Sequence, residues 1–350
     1  MKRNLVVTLL AVVLCFVVST PAKAIAGIST ANLVFYVDAT DPSSFGGSGS
    51  PTWNDISPVG TNKMAVSPGQ TFNSSLGGYL TFNGTSDSAT LTSPSSLPGT
   101  SMSIFAWIKV PASIGGLQEI FDINRTITAI DHEGLFEVNS SNQLNFWDFN
   151  GSTYGFNGTP SNCTLTNSAW AYIGFIRSGT TGTYWLNGSA CNSITAAVST
   201  VNYSSASVKK NYAIGADIRD SSGFFSGSIA NVAVYSAALD TATVRSNMVN
   251  TMVRSVSLTV TSPSKKSATS SITAVGYTGV PFLATFYYNS RRITPCRYLS
   301  GSSPIACSWK PIIQGQQSLS ASLSVPGTTA ESNRTPSINV TVTKRTVARS

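Results

Sequence analysis

Histidine occurs once, at His132, and charged side chains make up only 10% of the 350 residues. A Ser-His-Asp or Cys-His hydrolase would therefore depend on one imidazole, and no nucleophile-elbow motif accompanies it. There is no G-x-S-x-G, no glycine-rich phosphate loop and no metalloprotease helix motif in the sequence. C-x-x-C is missing too, which argues against a thiolate zinc site. Basic clusters are short, Arg291-Arg292 and Lys344-Arg345, so no nucleic-acid partner is expected. Beyond the first residues no run is apolar enough to span a bilayer, and no C-terminal anchor pattern is present.

The first residues explain part of this composition. Lys2 and Arg3 precede an apolar run from Leu5 to Val18, and Ala22-Lys23-Ala24 supplies a small-x-small cleavage site. Residues 1–24 read as a secretory signal peptide of bacterial type, leaving a secreted or cell-surface protein that begins near Ile25 and does not span the membrane. Leu14-Cys15 lacks the small residue that a lipidated cysteine requires before it. Removal of Cys15 leaves Cys163, Cys191, Cys296 and Cys307, an even set in an oxidising compartment. Four cysteines allow three pairings, of which proximity favours Cys163 with Cys191 and Cys296 with Cys307.

What remains is rich in Ser, Thr, Asn and Gly and in short runs of period-two alternation, the pattern of an all-β chain. In Ser101–Lys109, Met102, Ile104, Ala106 and Ile108 alternate with Ser103, Phe105, Trp107 and Lys109, giving one apolar face and one mixed, aromatic-rich face. Trp170 to Phe175, a polar turn and Tyr184-Trp185-Leu186 predict a β-hairpin, with Asn187-Gly188 turning the chain after its second arm. Asp240 is placed to cap a short helix with Val244, Met248, Val249 and Met252 on one face. Near Arg254 the alternation restarts, and residues 254–350 are expected to form a second, smaller sandwich with the architecture of bacterial immunoglobulin-like modules. Charge divides there as well. Residues 25–253 carry eight Lys/Arg against thirteen Asp/Glu, a net of −5, whereas residues 254–350 carry eleven against one, a net of +10. The basic unit points to an anionic cell-envelope polymer as a partner.

Five segments carry a family resemblance by their order. They are Phe35-Tyr36-Val37-Asp38-Ala39, Phe82-Asn83-Gly84-Thr85-Ser86-Asp87, Ile104-Phe105-Ala106-Trp107-Ile108, Tyr184-Trp185-Leu186-Asn187-Gly188, and Gly227-Ser228-Ile229 with Val232-Ala233-Val234-Tyr235. Residues of about 30–250 thereby resemble the laminin-G-like members of the concanavalin A-like lectin and glucanase superfamily. The resemblance implies a jelly-roll β-sandwich over 25–253 that binds ligands. It also raises calcium, for which Asp87 is the first candidate ligand and Asp38 the second; the family's frequent acid after Gly-x-Ile is Ala230 in this chain.

Glucan-cutting relatives place acids on one strand face in an E-x-D-x-x-E pattern, which this sequence lacks. Glu119 and Asp122, three apart, fall on opposite faces of a regular strand. Asp131, Glu133 and Glu137 can share a face, but Gly134 interrupts them and favours a solvated, turn-like patch. Sugar binding calls for aromatics beside amides and carboxylates, and Asn145 to Gly151 with Tyr154 offers that mixture. Trp147 and Tyr154 are the candidate contacts, with Asp148 and Asn150 as polar partners. The competing reading makes Trp147 a core residue. Together these readings predict a non-catalytic protein that recognises a glycan or a surface protein. Its rivals are a divergent glycoside hydrolase or lyase and a structural adhesion or spacer component.

Overall fold

A computed structural model describes residues 27–344 apart from positions 61, 93–98, 126–131, 150–152, 159–160, 200–209, 218–221, 262–263, 267 and 329. The signal segment and Asn150 lie outside the described residues. The first unit opens with β1 (Leu33–Asp38), β2 (Thr52–Asn54), β3 (Lys63–Val66), β4 (Thr71–Asn73), β5 (Tyr79–Asn83) and β6 (Ala89–Thr92). Then come β7 (Ser101–Lys109), β8 (Gln118–Arg125), β9 (His132–Val138), β10 (Leu144–Phe149) and β11 (Tyr154–Asn157). It ends with β12 (Trp170–Ser178), β13 (Thr181–Leu186), β14 (Ser189–Thr195), β15 (Lys210–Ile214) and β16 (Ser226–Tyr235).

These strands make two eight-stranded sheets, β14-β13-β12-β7-β16-β5-β4 with β1 on β16, and β11-β10-β9-β8-β15-β6-β3-β2. Strands distant in sequence are neighbours, as where β7 lies between β12 and β16, and the result is a jelly-roll sandwich of concanavalin type. Ile104, Ile173 and Phe175 from the first sheet pack against Phe121, Phe136 and Phe146 from the second. Phe146 and Phe175 stack across the gap with ring centroids 4.0 Å apart. The predicted turn is present: Asn187 and Gly188 adopt φ of 49° and 78°, a left-handed pair suited to closing the β13–β14 hairpin. Cys163 is bonded to Cys191, and Cys296 to Cys307.

Helix α1 (Thr241–Met252) follows, capped as expected by Asp240, whose Oδ1 accepts from the Thr243 N–H at 2.7 Å. Beyond it lie β17 (Ser257–Val260), β18 (Ser264–Lys265), β19 (Ser270–Val275), β20 (Phe282–Tyr288) and β21 (Arg291–Arg292). The last strands are β22 (Leu299–Gly301), β23 (Ile305–Trp309), β24 (Gly315–Ser324) and β25 (Ile338–Thr343). They form a three-stranded sheet, β17-β19-β23, and a six-stranded sheet, β18-β25-β24-β20-β21 with β22 on β20. No helix among the described residues is long and apolar enough to cross a membrane.

The two units are not beads on a string. Both faces of β7 are buried because each has its own partner. Met102, Ile104, Ala106 and Ile108 enter the space between the two sheets, while Phe105 and Trp107 join Trp170, Tyr172 and Trp185 in a cluster shared with α1 and the second unit. Trp107 Nε1 donates to Thr251 Oγ1 at 2.8 Å, and Trp170 stacks on Tyr277 at 4.4 Å. Arg254, at the expected boundary, pairs with the buried carboxylate of Asp38. Burial opposes the charge on Arg254, but Asp38, Tyr36 and Asp41 together outweigh it and raise the guanidinium pKa. The aromatic face of β7 is therefore a seam, and the first sheet is covered there.

Candidate functional site

The second sheet keeps an outer face, and strand pairing assigns its residues. Glu119 on β8 lies opposite Glu137 on β9, which lies opposite Asn145 on β10. Asp122 lies opposite Leu135, and Leu135 opposite Trp147. Directly opposed residues of antiparallel strands point to the same side, so Glu119, Asp122, Glu137, Asn145 and Trp147 share one face. Phe121, Phe136 and Phe146, from the same strands, point into the core.

The expectation that Glu119 and Asp122 face opposite ways is corrected by a β-bulge. Between Glu119 and Phe121 the register slips by one residue, so β8 spends one extra residue there and Asp122 turns to the side of Glu119. The expected turn-like patch is corrected as well: β9 runs unbroken through Gly134, and Glu137 is buried. Asp131 and the side chains of His132 and Glu133 lie outside the described residues.

Three carboxylates gather at this face. Glu119, Asp122 and Asp217 are all buried, and their carboxylate oxygens approach within 4.8 Å of one another. Gly223 makes the approach possible: at φ of 59° it lies so close that a Cβ there would sit 2.6 Å from Glu119 Oε1. Its carbonyl accepts the Glu119 N–H at 2.8 Å. Carboxylates this close favour shared protons, hydrogen-bond donors or a hard cation between them. An all-oxygen donor set of this kind suits calcium.

The two residues expected to bind calcium are placed otherwise. Asp38 accepts from Tyr36 Oη at 2.6 Å and from the N–H and Oγ1 of Thr40 at 2.9 and 2.7 Å, besides pairing with Arg254. These donors saturate the carboxylate, and Asp38 does not fit a metal ligand. Asp87 Oδ2 accepts from the Asn83 N–H at 3.1 Å, inside a turn in which Asn83 Oδ1 accepts from the N–H groups of Thr85, Ser86 and Asp87. Among the described residues no contact joins Asp87 to Asp38.

The sugar-contact candidates separate in the same manner. Trp147 is not core; it is half-buried on the outer face, with Nε1 donating to Glu137 Oε1 at 2.8 Å. Asn145 Nδ2 donates to the same oxygen. Gly158, at φ of 54°, lies against the indole, where a Cβ would fall 1.9 Å from a ring carbon. Tyr154, 39% exposed, meets Trp147 edge-on at 5.9 Å and Phe149 at 4.9 Å. Asp148 is corrected: it points inward and pairs with Arg177, both side chains being fully buried, and it accepts the Phe156 N–H at 2.6 Å. The alternation that turns Trp147 outward turns its neighbour inward. The polar groups beside the indole are instead Glu137 and Asn145, both buried, a pairing set by the β9–β10 register and invisible in either segment alone.

Residues 83–245 match the family model described as the concanavalin A-like lectin/glucanases superfamily. Among solved structures, the chain is similar to a Trypanosoma rangeli sialidase in complex with the inhibitor DANA, at 13% identity and a TM-score of 0.44, covering 63% of this chain and 33% of that one. It is also similar to domain 4 of an extracellular GH43 arabinanase from Geobacillus stearothermophilus in complex with arabinotriose, at 15% identity and a TM-score of 0.43, covering 61% and 97%. A third is the CBM40 of a Ruminococcus gnavus IT-sialidase bound to α2,3-sialyllactose, at 13% identity and a TM-score of 0.36, covering 41% and 79%. The chain thus spans about a third of the sialidase it matches. No curated protein matches the sequence. The expectation of a chain without catalytic carboxylates on a common strand face is corrected: Glu119, Asp122 and Glu137 do share one.

Proposed function

We propose that the outer face of the second sheet recognises carbohydrate, with the Trp147–Tyr154 edge as its stacking platform. The observation that carries this reading is the placement of one half-buried and one exposed ring on the outer side of β10 and β11, beside Glu137 and Asn145. Sugars offer C–H faces to aromatic rings and hydroxyls to amides and carboxylates. Trp147 is held in place by Glu137 and Gly158, so binding immobilises little that is not already ordered. In this reading the protein is exported from a bacterium and works at or beyond the cell surface, in glycan recognition or adhesion. The immunoglobulin-like second sandwich supports the first. Screening the mature chain on a polysaccharide array, with and without calcium, tests the reading. Retention of a glycan at micromolar concentration is expected, weakened about tenfold by Trp147→Ala, the equivalent of about 1.4 kcal/mol. A folded chain that retains no glycan in either condition overturns it.

A second reading, that the same face cuts the glycan it holds, is favoured by the bulge that sets Asp122 beside Glu119 and Glu137. Reducing-sugar release that is lost in Glu119→Gln or Glu137→Gln supports cleavage. Release unchanged in both variants, or no release from any bound glycan, contradicts it.

A further inference from the structure

The single acid of residues 254–350, Glu331, stands among arginines rather than apart from them. Strand β20 turns Phe282, Ala284 and Phe286 into the core and sets Thr285 and Tyr287 on its other side. Tyr287 is the hub of a cluster there. Its Oη donates to Glu331 and accepts from Arg292 Nε at 3.4 Å, and Arg292 also reaches Glu331 at 3.1 Å. The Arg334 guanidinium lies over the Tyr287 ring, 3.8 Å from its centroid, and Arg297 lies over the Tyr298 ring at 4.7 Å. Arg291 adjoins Arg292 in β21 but lies opposite Tyr288, so alternation sends it to the other side of the strand, away from Tyr287. Arg292, Arg297 and Arg334 are all exposed. One half-buried carboxylate cannot neutralise three guanidinium groups.

We infer that Arg292, Arg297 and Arg334 form a docking surface for an acidic polysaccharide. Two of the guanidinium planes rest on tyrosine rings and are ordered in advance, leaving N–H edges for bidentate contact with carboxylate or sulfate oxygens. A polymer repeats such groups and spans several arginines at once, which multiplies weak contacts. One face of each ring already carries an arginine, which leaves less ring surface for nucleic-acid bases to stack on. Exposed large apolar side chains of this unit, Ile312 and Ile313, lie in the β23–β24 connection and not among the three arginines, so the cluster has nothing to insert into a bilayer. The inference does not depend on the glycan reading of the first sandwich.

The test uses the full mature chain over immobilised polygalacturonate, a source of carboxylates, and heparin, a source of sulfates, with duplex DNA and anionic lipid vesicles in parallel. Retention on at least one polysaccharide at about 0.15 M salt is expected, falling steeply as salt rises. Replacing all three arginines by alanine is expected to weaken it at least about tenfold, and by lysine to restore only part of the loss, because lysine keeps the charge but not the planar fork. If the triple variant misfolds, Arg297→Ala and Arg334→Ala singly are each expected to weaken retention about twofold to fivefold. Glycan retention that depends on Trp147 is expected to be unchanged in these variants. Failure to retain either polysaccharide, full recovery with lysine, unaltered retention in the alanine variants, or tighter binding of DNA or vesicles than of both polysaccharides overturns the inference.

Discussion

The first sandwich gathers Glu119, Asp122 and Glu137 on the outer side of one sheet, whereas the second sets exposed Arg292, Arg297 and Arg334 around its one acid and the tyrosines beside it. Neither arrangement is a uniformly charged surface. In each case strand alternation turns the polar residue outward, and register decides which others stand beside it. Aromatic rings differ in the same way between the two sheets of the first unit. Phe105, Trp107 and Trp170 are sealed beneath α1 and the second unit, while Trp147 and Tyr154 remain at the open edge of the other sheet. An outward ring is thus glue or platform according to what covers it.

The sharpest way to break this contrast is to end the chain at Val253. That strips Tyr277 from Trp107 and Trp170, opening the part of the shared cluster that α1 does not cover, and removes Arg254 from the buried carboxylate of Asp38. Aggregation or loss of near-UV signal is expected in size-exclusion and circular-dichroism measurements; a soluble, native-like monomer contradicts the shared core. Next in size is the pair that ties the first unit's sheets together. Asp148→Ala leaves Arg177 buried with its principal charge partner removed, and urea unfolding is expected to show a loss of about 3–5 kcal/mol. Trp107→Ala, at the seam, is expected to cost a similar amount, about 3–5 kcal/mol. Replacing Cys163 and Cys191 by alanine opens a span of 28 residues and is expected to cost about 3.5 kcal/mol on loop entropy.

Acid titration separates the two units by sign. Burial raises the Asp55 carboxyl in the first, against the lowering effect of N–H donors from Ser57 and Tyr36. Asp55 therefore favours the folded state at low pH and loses that contribution as pH rises through the carboxylate range. Burial also opposes ionisation of Glu331 in the second, but hydrogen bonds from Tyr287 and Ser322 and the charge of Arg292 outweigh it and lower its pKa. Its contribution is complete above the ordinary glutamate value and is lost as pH falls through the lowered one. Measured between pH 3 and 7, stability of Glu331→Gln is expected to fall less on acidification than that of the parent, and Asp55→Asn to gain relative to the parent as pH rises. Reversed signs contradict these placements.

Much of this was legible in the residues. Period-two alternation marked the strands, proximity favoured the two disulfides that form, and Asp240 announced the helix. The aromatic-rich side of Ser101–Lys109 was visible too, though not what covers it, because α1 and Tyr277 arrive from more than a hundred residues away. Asp148 read as a surface carboxylate because its partner, Arg177, stands on the opposite sheet. The Glu119–Asp122 face was hidden for a different reason: a bulge is a property of two strands in register, and neither strand alone records it. Asp38 read as a ligand because the cation it meets is the side chain of Arg254, on the far side of the whole first unit.

The most direct test of the platform is Tyr154→Ala, with melting temperature and glycan affinity measured on the same preparation. An unchanged melting temperature with affinity weakened about tenfold is expected, since the ring is exposed and makes its contacts at the edge. Affinity equal to that of the parent, or a melting temperature that falls as it does for a core residue, contradicts the account.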